Sequence, residues 1–181
     1  MRHGTVLALT LLVVGGCGDA SRTATDETSA ADPTTTLDAY AATASEEAEV
    51  VATVQRLFDA LERGDEALLR SVMDPSVVMH YTEIRDGETS RGSSTVDGLA
   101  QRIASSEAPL VERMWDPGVV VDGPLATLWT PYDFYVGSDF SHCGVDTATL
   151  MRSDQGWMIV GLSWTRLQPP ACDLHPDGPP S

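Results

Sequence analysis

The chain of 181 residues has a hydrophobic fraction of 42%, which leaves room for one folded domain and little more. Its 27 acidic side chains outnumber its 11 basic ones, all of them arginine, and the formal net charge is −16. Because no basic stripe can neutralise phosphates, the composition argues against a nucleic-acid partner. The acidity is explained more simply by solubility than by cation binding.

Residues 1–16 have the pattern of a secretory signal, with a positive start at Arg2 and a short apolar run, Val6–Val14. The run Leu12-Val13-Val14-Gly15-Gly16-Cys17 resembles the lipobox of bacterial lipoproteins, which implies cleavage before Cys17 and acylation of that cysteine. Acylation would attach the exported protein to a lipid membrane of the cell envelope. In a host with two membranes, we expect the outer membrane, facing the periplasm. The alternative is an ordinary secretory signal with an incidental cysteine.

Two helices are predicted after a flexible tether. Residues 17–44 are rich in Ala, Thr, Ser and Asp and carry too little apolar surface to order themselves. Thr43 or Ser45 can cap the first helix, whose apolar residues recur at helical spacing as far as Gly64. Asp65 then caps a second, short helix that ends at an Asp-Pro pair.

A short strand and a third helix follow. The strand is Val77–Tyr81, and residues 82–94 are predicted to form a loop with a turn at Asp86-Gly87. The third helix carries its apolar face on Val96, Leu99 and Ile103.

The C-terminal half contains β-rich runs, namely Leu110–Val121, Ala126–Val136, Phe140–Arg152 and Trp157–Leu167. They are separated by residues that favour tight hairpins, Asp122-Gly123, Gly137-Ser138 and the stretch 153–156. The predicted fold class is therefore α+β, with a curved antiparallel sheet and the helices packed on its concave face. The folded domain is predicted to span residues 45–168. Residues 169–181 form a tail whose last part, from residue 173, is predicted to be disordered.

Four motifs occur in a set order: Val54-x-x-Leu57-Phe58-x-Ala60-Leu61-x-x-Gly64-Asp65, a strand that reaches His80, Trp129-x-x-Tyr132-x-Phe134, and Gly156-Trp157-x-Ile159. Together with the order of elements, they resemble the nuclear transport factor 2-like superfamily, which includes ketosteroid isomerases and polyketide cyclases. The resemblance spans about residues 46–167. It implies a sheet curled into a cone, helices over its concave face and a pocket between them. A further match, Ser141-His142-Cys143-Gly144, resembles a bacterial subset of that superfamily.

The cysteines predict a disulfide. If Cys17 carries lipid, Cys143 and Cys172 remain, in a compartment where disulfides persist. A bridge between them would tie the tail to the sheet and contribute about 3–4 kcal/mol. Two free, buried thiols are the alternative.

Candidate functional residues lie near the Gly137-Ser138 turn. A two-residue hairpin there would pair Asp133 with His142, Trp129 with Asp146, and Tyr135 with Phe140, all on one face. The Asp133 carboxylate would then orient the His142 imidazole for proton transfer next to a carbonyl group. The opposite face is more apolar, however. In the alternative arrangement it forms the helix-covered core and leaves Asp133 and His142 outside.

The candidate ligand-binding residues are His80, Trp129, Asp133, Tyr135, His142 and Asp146. His80 is included because it lies in the first strand, where proteins of the superfamily that this chain resembles often place pocket residues. An enzyme would use His142 as the base, Asp133 to orient it, and Tyr132 or Tyr135 as a hydrogen-bond donor. The sequence contains no zinc-ligand spacing, phosphate-binding loop or nucleophile elbow, so no metal or cofactor is expected.

Three functions follow from these observations. The preferred hypothesis is a membrane-anchored extracytoplasmic domain that binds a small apolar or aromatic ligand, or a partner, without established turnover. The second is a cofactor-free isomerase, cyclase or dehydratase. The third is a non-catalytic envelope interaction module that forms a homodimer through the exposed face of its sheet.

Overall fold

The computed structural model describes residues 43–180, so the predictions for the signal segment, for Cys17 and for most of the tether lie outside it. The helices are α1 (Ala44–Arg63), α2 (Glu66–Val72) and α3 (Val96–Ser105). The strands are β1 (Val78–Arg85), β2 (Glu88–Thr95), β3 (Leu110–Met114), β4 (Gly118–Asp122), β5 (Leu125–Val136), β6 (Asp139–Ser153) and β7 (Gly156–Arg166).

The ends of α1 and α2 are set by local capping. The Thr43 hydroxyl accepts a hydrogen bond from the Glu46 backbone N–H at 3.2 Å, and the Glu46 carboxylate accepts one from the Thr43 N–H at 3.1 Å. Gly64 ends α1 in the left-handed conformation at φ 64°. Asp65 caps α2 by accepting from the Leu68 N–H at 2.9 Å. These boundaries confirm the predicted starts and stops.

Residues 82–94 differ from the sequence prediction, because they are mostly strand and not loop. Asp86 and Gly87, at φ 53° and 82°, form a two-residue turn that joins β1 to β2 as an antiparallel hairpin. β2 is an edge strand with polar, largely exposed side chains, so its sequence lacks the alternation that identifies a half-buried strand.

The strands form one sheet in the order β2-β1-β7-β6-β5-β3, and β4 continues along the same edge of β5 as β3. The predicted single run Leu110–Val121 is thus two strands, separated near Asp116, which has a φ of 46°. The sheet is antiparallel, as predicted, apart from the β1–β7 pair, which is parallel. These two strands are far apart in the chain, so no hairpin dictates their relative direction.

The helices cover one face of the curved sheet, here called the inner face. Its fully buried side chains include Leu128, Tyr132, Leu150 and Ile159, which form one hydrophobic core with Val50, Val54, Leu57 and Phe58 of α1. Each large apolar side chain buried in this way stabilises the fold by roughly 1.5–3 kcal/mol. An ion pair at 2.9 Å between Arg152 and Glu49 links β6 to α1 at the rim. The α+β class and the helix-covered sheet agree with the prediction.

The C-terminal tail crosses the opposite, outer face of the sheet. Cys143 of β6 forms the predicted disulfide with Cys172. Beyond it, the His175 N–H donates to the Asp133 carboxylate at 3.0 Å, and Arg113 donates to the Gly178 carbonyl at 2.7 Å. The prediction of disorder from residue 173 is therefore wrong for residues 173–180, because side chains of the sheet bind this segment.

Candidate functional site

A cavity of about 250 Å³ lies between the inner face of the sheet and the helices α1 and α3. Its apolar wall includes Leu57, Leu99, Phe134, Leu162 and Trp164. Its polar groups include Arg102, Glu112, His142, Asp146 and Arg166. An apolar cavity with a few convergent polar groups is the usual form of a small-molecule site.

A β-bulge at Ser141 decides which side chains of β6 reach this cavity. The pair next to the turn, Tyr135 with Phe140, forms as predicted. Beyond it the register shifts by one residue, so that His142 does not lie opposite Asp133. The predicted Asp133–His142 pair is therefore wrong, because one extra residue in an alternating strand places the two side chains on opposite faces.

The same shift changes the second predicted pair. Trp129 lies opposite Thr147, and Asp146 lies opposite Thr130. Trp129 points to the outer face and is 50% exposed, whereas Asp146 points inward and is 3% exposed. The predicted Trp129–Asp146 pair is wrong for the same reason.

His142 lies in an aromatic environment at the cavity. Its ring centroid is 4.9 Å from that of Phe134 and 5.7 Å from that of Tyr132, and its Nδ1 is 2.9 Å from the Ser141 hydroxyl. Burial lowers the pKa of His142 to about 3, and the positive charge of Arg166 acts in the same direction. The imidazole is therefore neutral at neutral pH and a weak base. It is better suited to hydrogen bonding than to proton abstraction.

Tyr132 is fully buried on the inner face, and its hydroxyl donates to the Thr165 carbonyl at 2.7 Å. Burial raises the pKa of this phenol, so it stays protonated. Because its hydroxyl proton is already donated to this backbone carbonyl, Tyr132 is poorly placed to donate a hydrogen bond to a ligand.

The main chemical feature of the cavity is a pair of carboxyl groups, on Glu112 of β3 and Asp146 of β6. The two groups are close enough to share a hydrogen bond when one of them is protonated. Burial raises the pKa of Glu112 to about 7. Burial also raises the pKa of Asp146 well above its ordinary value, and the neighbouring Glu112 acts in the same direction. The pair therefore holds at least one proton at neutral pH. It can both donate and accept a hydrogen bond.

Two arginines complete the polar part of the cavity. The Arg166 guanidinium lies 4.1 Å from the centre of the Tyr81 ring and 5.7 Å from that of Trp164. Its buried Nε–H has no hydrogen-bond partner within residues 43–180. Arg102 of α3 is exposed and lines the cavity, so it marks the rim.

Asp133, by contrast, is fully buried on the outer face. Its carboxylate accepts two hydrogen bonds from Arg113, at 3.0 Å and 2.6 Å, and one from the His175 N–H. Tyr135 lies on the same face, with the Arg113 guanidinium 5.4 Å from its ring centre. These groups hold the tail on the sheet.

Two of the predicted ligand-binding residues, His142 and Asp146, line the cavity. The structure places Asp133, Tyr135 and Trp129 on the outer face. His80 is exposed and does not line the cavity either.

Comparisons with known proteins give information on the fold alone. No protein-family model and no curated protein matches the sequence. Among solved structures, a nuclear transport factor 2-like superfamily protein from Salmonella enterica is similar with a TM-score of 0.56 and 13% identity. That alignment covers 71% of this chain and 96% of that one. A "putative aromatic ring hydroxylase" from Novosphingobium aromaticivorans also gives 0.56 and 13%, over 71% and 94% of the two chains.

A nuclear transport factor 2-like protein from Cytophaga hutchinsonii has a TM-score of 0.54 and 13% identity, over 66% of this chain and 97% of that one. The order of elements, the helix-covered sheet and these structural neighbours agree. The chain has the nuclear transport factor 2-like fold.

Sequence reasoning missed Glu112, Arg102 and Arg166. A signal for Glu112 was present in β3, because Leu110, Glu112 and Met114 alternate onto one face and place a carboxyl group among apolar neighbours. Arg166 follows Leu162 and Trp164 on β7 in the same way. Arg102 sits on a polar part of α3 and gives no such signal.

Residues 43–180 contain neither a cluster of metal-ligating side chains nor a helix that could span a membrane. This part of the chain holds no cluster of three or more His, Cys, Asp or Glu side chains suited to a metal ion. None of its helices combines the length and the apolar character needed to span a bilayer.

Proposed function

We propose that this domain binds a small apolar or aromatic molecule in the cavity of its nuclear transport factor 2-like fold. The observation that carries the proposal is the cavity itself, which is lined both by the apolar side chains of Phe134, Leu162 and Trp164 and by the carboxyl pair. The apolar walls supply affinity. The carboxyl pair and the neutral His142 supply hydrogen bonds that orient a carbonyl or hydroxyl group of the ligand.

The size of the cavity limits the ligand. Its volume of about 250 Å³ is below the roughly 300–1,000 Å³ typical of pockets for drug-sized molecules. An engineered cavity of about 150 Å³ in another protein holds benzene. A ligand with one or two rings therefore fits best.

A cavity-filling variant tests this proposal. Leu99 is partly buried on α3 and lines the cavity, so Leu99→Phe reduces the space with little disturbance of the core. Ligand-observed NMR with a panel of one- and two-ring ketones and phenols should detect compounds that bind the wild-type protein and lose at least tenfold in affinity for Leu99→Phe. Trp129→Phe, on the outer face, should bind them normally. If no compound binds, or if Leu99→Phe binds equally well, the cavity is not the site.

A second candidate function is cofactor-free proton transfer, which the unequal protonation of Glu112 and Asp146 favours. In this reaction the Glu112 carboxylate takes a proton from the carbon next to a ligand carbonyl group. The electron pair of the broken C–H bond moves onto the oxygen as an enolate, and the proton then returns to carbon. Asp146, protonated, donates to Glu112 and tunes its basicity. This assignment replaces the predicted His142–Asp133 pair, because the strand register places these two side chains on opposite faces of the sheet.

Exchange of carbon-bound hydrogen measures this chemistry without knowledge of the natural substrate. In D2O, the wild-type protein should accelerate deuterium incorporation next to the carbonyl of 1-indanone, with a rate that rises with pH through about 7. Glu112→Gln should lose at least tenfold of this rate, whereas the exposed Glu62→Gln on α1 should retain it. Equal rates for the wild type and Glu112→Gln would exclude the proton-transfer function and leave ligand binding standing.

We further propose that Cys17 is acylated and holds the domain on a membrane of the cell envelope. Support comes from the signal-like residues 1–16 and the lipobox-like run that ends at Cys17. The wild-type chain should sediment with membranes, and Cys17→Ser should move to the soluble fraction. A Cys17→Ser chain that stays with the membranes would contradict the anchor.

A further inference from the structure

Two cationic side chains at the cavity, those of Arg102 and Arg166, indicate the charge of its ligand. Within residues 43–180, other arginines form the salt bridges with carboxylates, and neither Arg102 nor Arg166 takes part in one. Arg166 is held by stacking on Tyr81, so its guanidinium is positioned while its buried Nε–H stays unpaired. Buried donors are rarely left without a partner, so the unpaired Nε–H of Arg166 points to a ligand group that would accept its hydrogen bond.

We propose that the cavity binds a small organic carboxylate, whose charged group is received by Arg166 and Arg102 while its apolar body lies against the aromatic and aliphatic walls. This inference rests on the proposed function and names the class of ligand. The planar guanidinium matches a carboxylate in a two-point contact. Stacking on Tyr81 removes most of the side-chain freedom that such a contact would otherwise cost.

The protonation state of the neighbouring acid pair affects the binding of a ligand carboxylate. Glu112 lies close enough to Arg166 and Arg102 for their charges to act on it. A ligand carboxylate therefore competes with ionised Glu112 for the same arginines and binds best when Glu112 is protonated. The other ionisable groups that line the cavity are Asp146, which stays protonated, His142, which stays neutral, and Tyr81.

Three probes with the same body and different charge test the proposal on the full-length chain: cinnamate, the neutral cinnamamide and the cationic cinnamylamine. At pH 6, isothermal titration should show that cinnamate binds at least tenfold more tightly than cinnamamide, with cinnamylamine the weakest. At pH 8, where Glu112 is ionised, the preference for cinnamate over cinnamamide should fall several-fold. It should fall much less in Glu112→Gln.

Arginine variants identify the side chain that binds the charged group of the ligand. Arg166→Gln should reduce the preference for cinnamate to less than threefold and leave the affinity for cinnamamide nearly unchanged. Arg102→Gln, at the exposed rim, should reduce it by a smaller factor without touching the packing around Tyr81. It therefore serves as the second test if Arg166→Gln folds poorly. Arg91→Gln is the matched control, because Arg91 is exposed on β2 and does not line the cavity.

The outcomes separate the two proposals. Equal binding of cinnamate and cinnamamide, or tightest binding of cinnamylamine, would overturn the carboxylate assignment and leave the cavity as a ligand site. A preference for cinnamate that survives both arginine substitutions would also overturn it. Failure of all three probes to bind the cavity would count against both the ligand class and the proposed function.

Discussion

Asp133 and Asp146 are both buried in the sheet, but their carboxyl groups have partners of opposite kinds on the two faces. On the outer face, Asp133 receives a cation, Arg113, and a backbone N–H of the tail. On the inner face, the neighbour of Asp146 is another carboxyl group, on Glu112. The first arrangement is an ion pair that joins the tail to the sheet, and the second is a proton-sharing pair beside a cavity.

This difference shows that burial of a carboxyl group does not by itself indicate function. What matters is the partner, because a cation with good geometry favours the charged form and a second acid favours the protonated form. Asp133 therefore has a structural role, although the sequence analysis included it among the candidate ligand-binding residues. The inner pair has the perturbed protonation that is typical of functional sites.

The largest effect should come from neutralising each aspartate in turn. Asp133→Asn leaves Arg113 without its counter-charge in a mostly buried position, so the free energy of unfolding should fall by about 3–5 kcal/mol. Asp146→Asn replaces a protonated acid by a similar neutral group and should change it by less than about 1 kcal/mol. Urea denaturation at pH 7 measures both. Equal losses, or a larger loss for Asp146→Asn, would contradict the contrast between the faces.

Removal of the disulfide tests how much the attachment of the tail to the outer face contributes to stability. Cys143 and Cys172 are 29 residues apart, and closing a loop of this length should contribute about 3–4 kcal/mol to the free energy of unfolding. The Cys143→Ser/Cys172→Ser double variant should lose about this amount by urea denaturation. Ligand binding in the cavity should persist at a temperature where the variant is folded. Loss of binding with the fold intact would mean that the two faces are coupled.

The dependence of stability on pH tests the inner face. The pKa of Glu112 is raised from 4.5 to about 7, so its contribution to stability is fully present below pH 4.5 and is lost as the pH rises through about 7. The pKa of His142 is lowered from 6.5 to about 3, so its contribution is present above pH 6.5 and is lost as the pH falls through about 3. The two trends oppose each other, so a Glu112 variant is needed to separate them.

Urea denaturation of the wild type and of Glu112→Gln between pH 4.5 and pH 8 isolates the glutamate. The stability of the wild type relative to the variant should fall by roughly 2–3 kcal/mol over this range. The exposed Glu62→Gln should show no such change. A flat difference for Glu112→Gln would mean that the acid pair does not hold the extra proton.

The smallest effect is expected at Trp129, which is 50% exposed on the outer face, where Val120, Leu125 and Met151 are exposed as well. Trp129→Ser should change the free energy of unfolding of the monomer by less than about 0.5 kcal/mol. Sedimentation of the wild type and the variant tests the homodimer hypothesis on the same surface. If the wild type is a dimer and Trp129→Ser is a monomer, this patch is the interface. A monomeric wild type would exclude the dimer.

Much of the fold was accessible from local sequence. Thr43 with Glu46 and the left-handed Gly64 fix the ends of α1, and the Gly137-Ser138 turn fixes the β5–β6 hairpin. These features depend on residues that are close in the chain, so the sequence carries their signal directly. The edge strand β2 was missed because polar, exposed side chains do not alternate.

The candidate site was harder to predict, because its key feature depends on one bulged residue. Ser141 has no special backbone requirement, and its carbonyl accepts from the Gln168 side chain at 2.7 Å, a contact between distant residues. Gly144 gave a partial signal, because a glycine inside a strand indicates a close approach of another backbone segment. In the structure, a Cβ at this position would collide with the Thr165 carbonyl oxygen. The tail was missed for a similar reason, since its order depends on Asp133 and Arg113.

Carboxyl ¹³C NMR of Glu112 and Asp146 as a function of pH tests the central claim most directly. We expect the Asp146 carboxyl to remain protonated at pH 6 and the pair to release a proton near pH 7. Glu112→Gln should remove this titration. If both carboxyl groups ionise below pH 5 in the folded protein, the cavity holds two ordinary carboxylates, and the proposed chemistry of the inner face is contradicted.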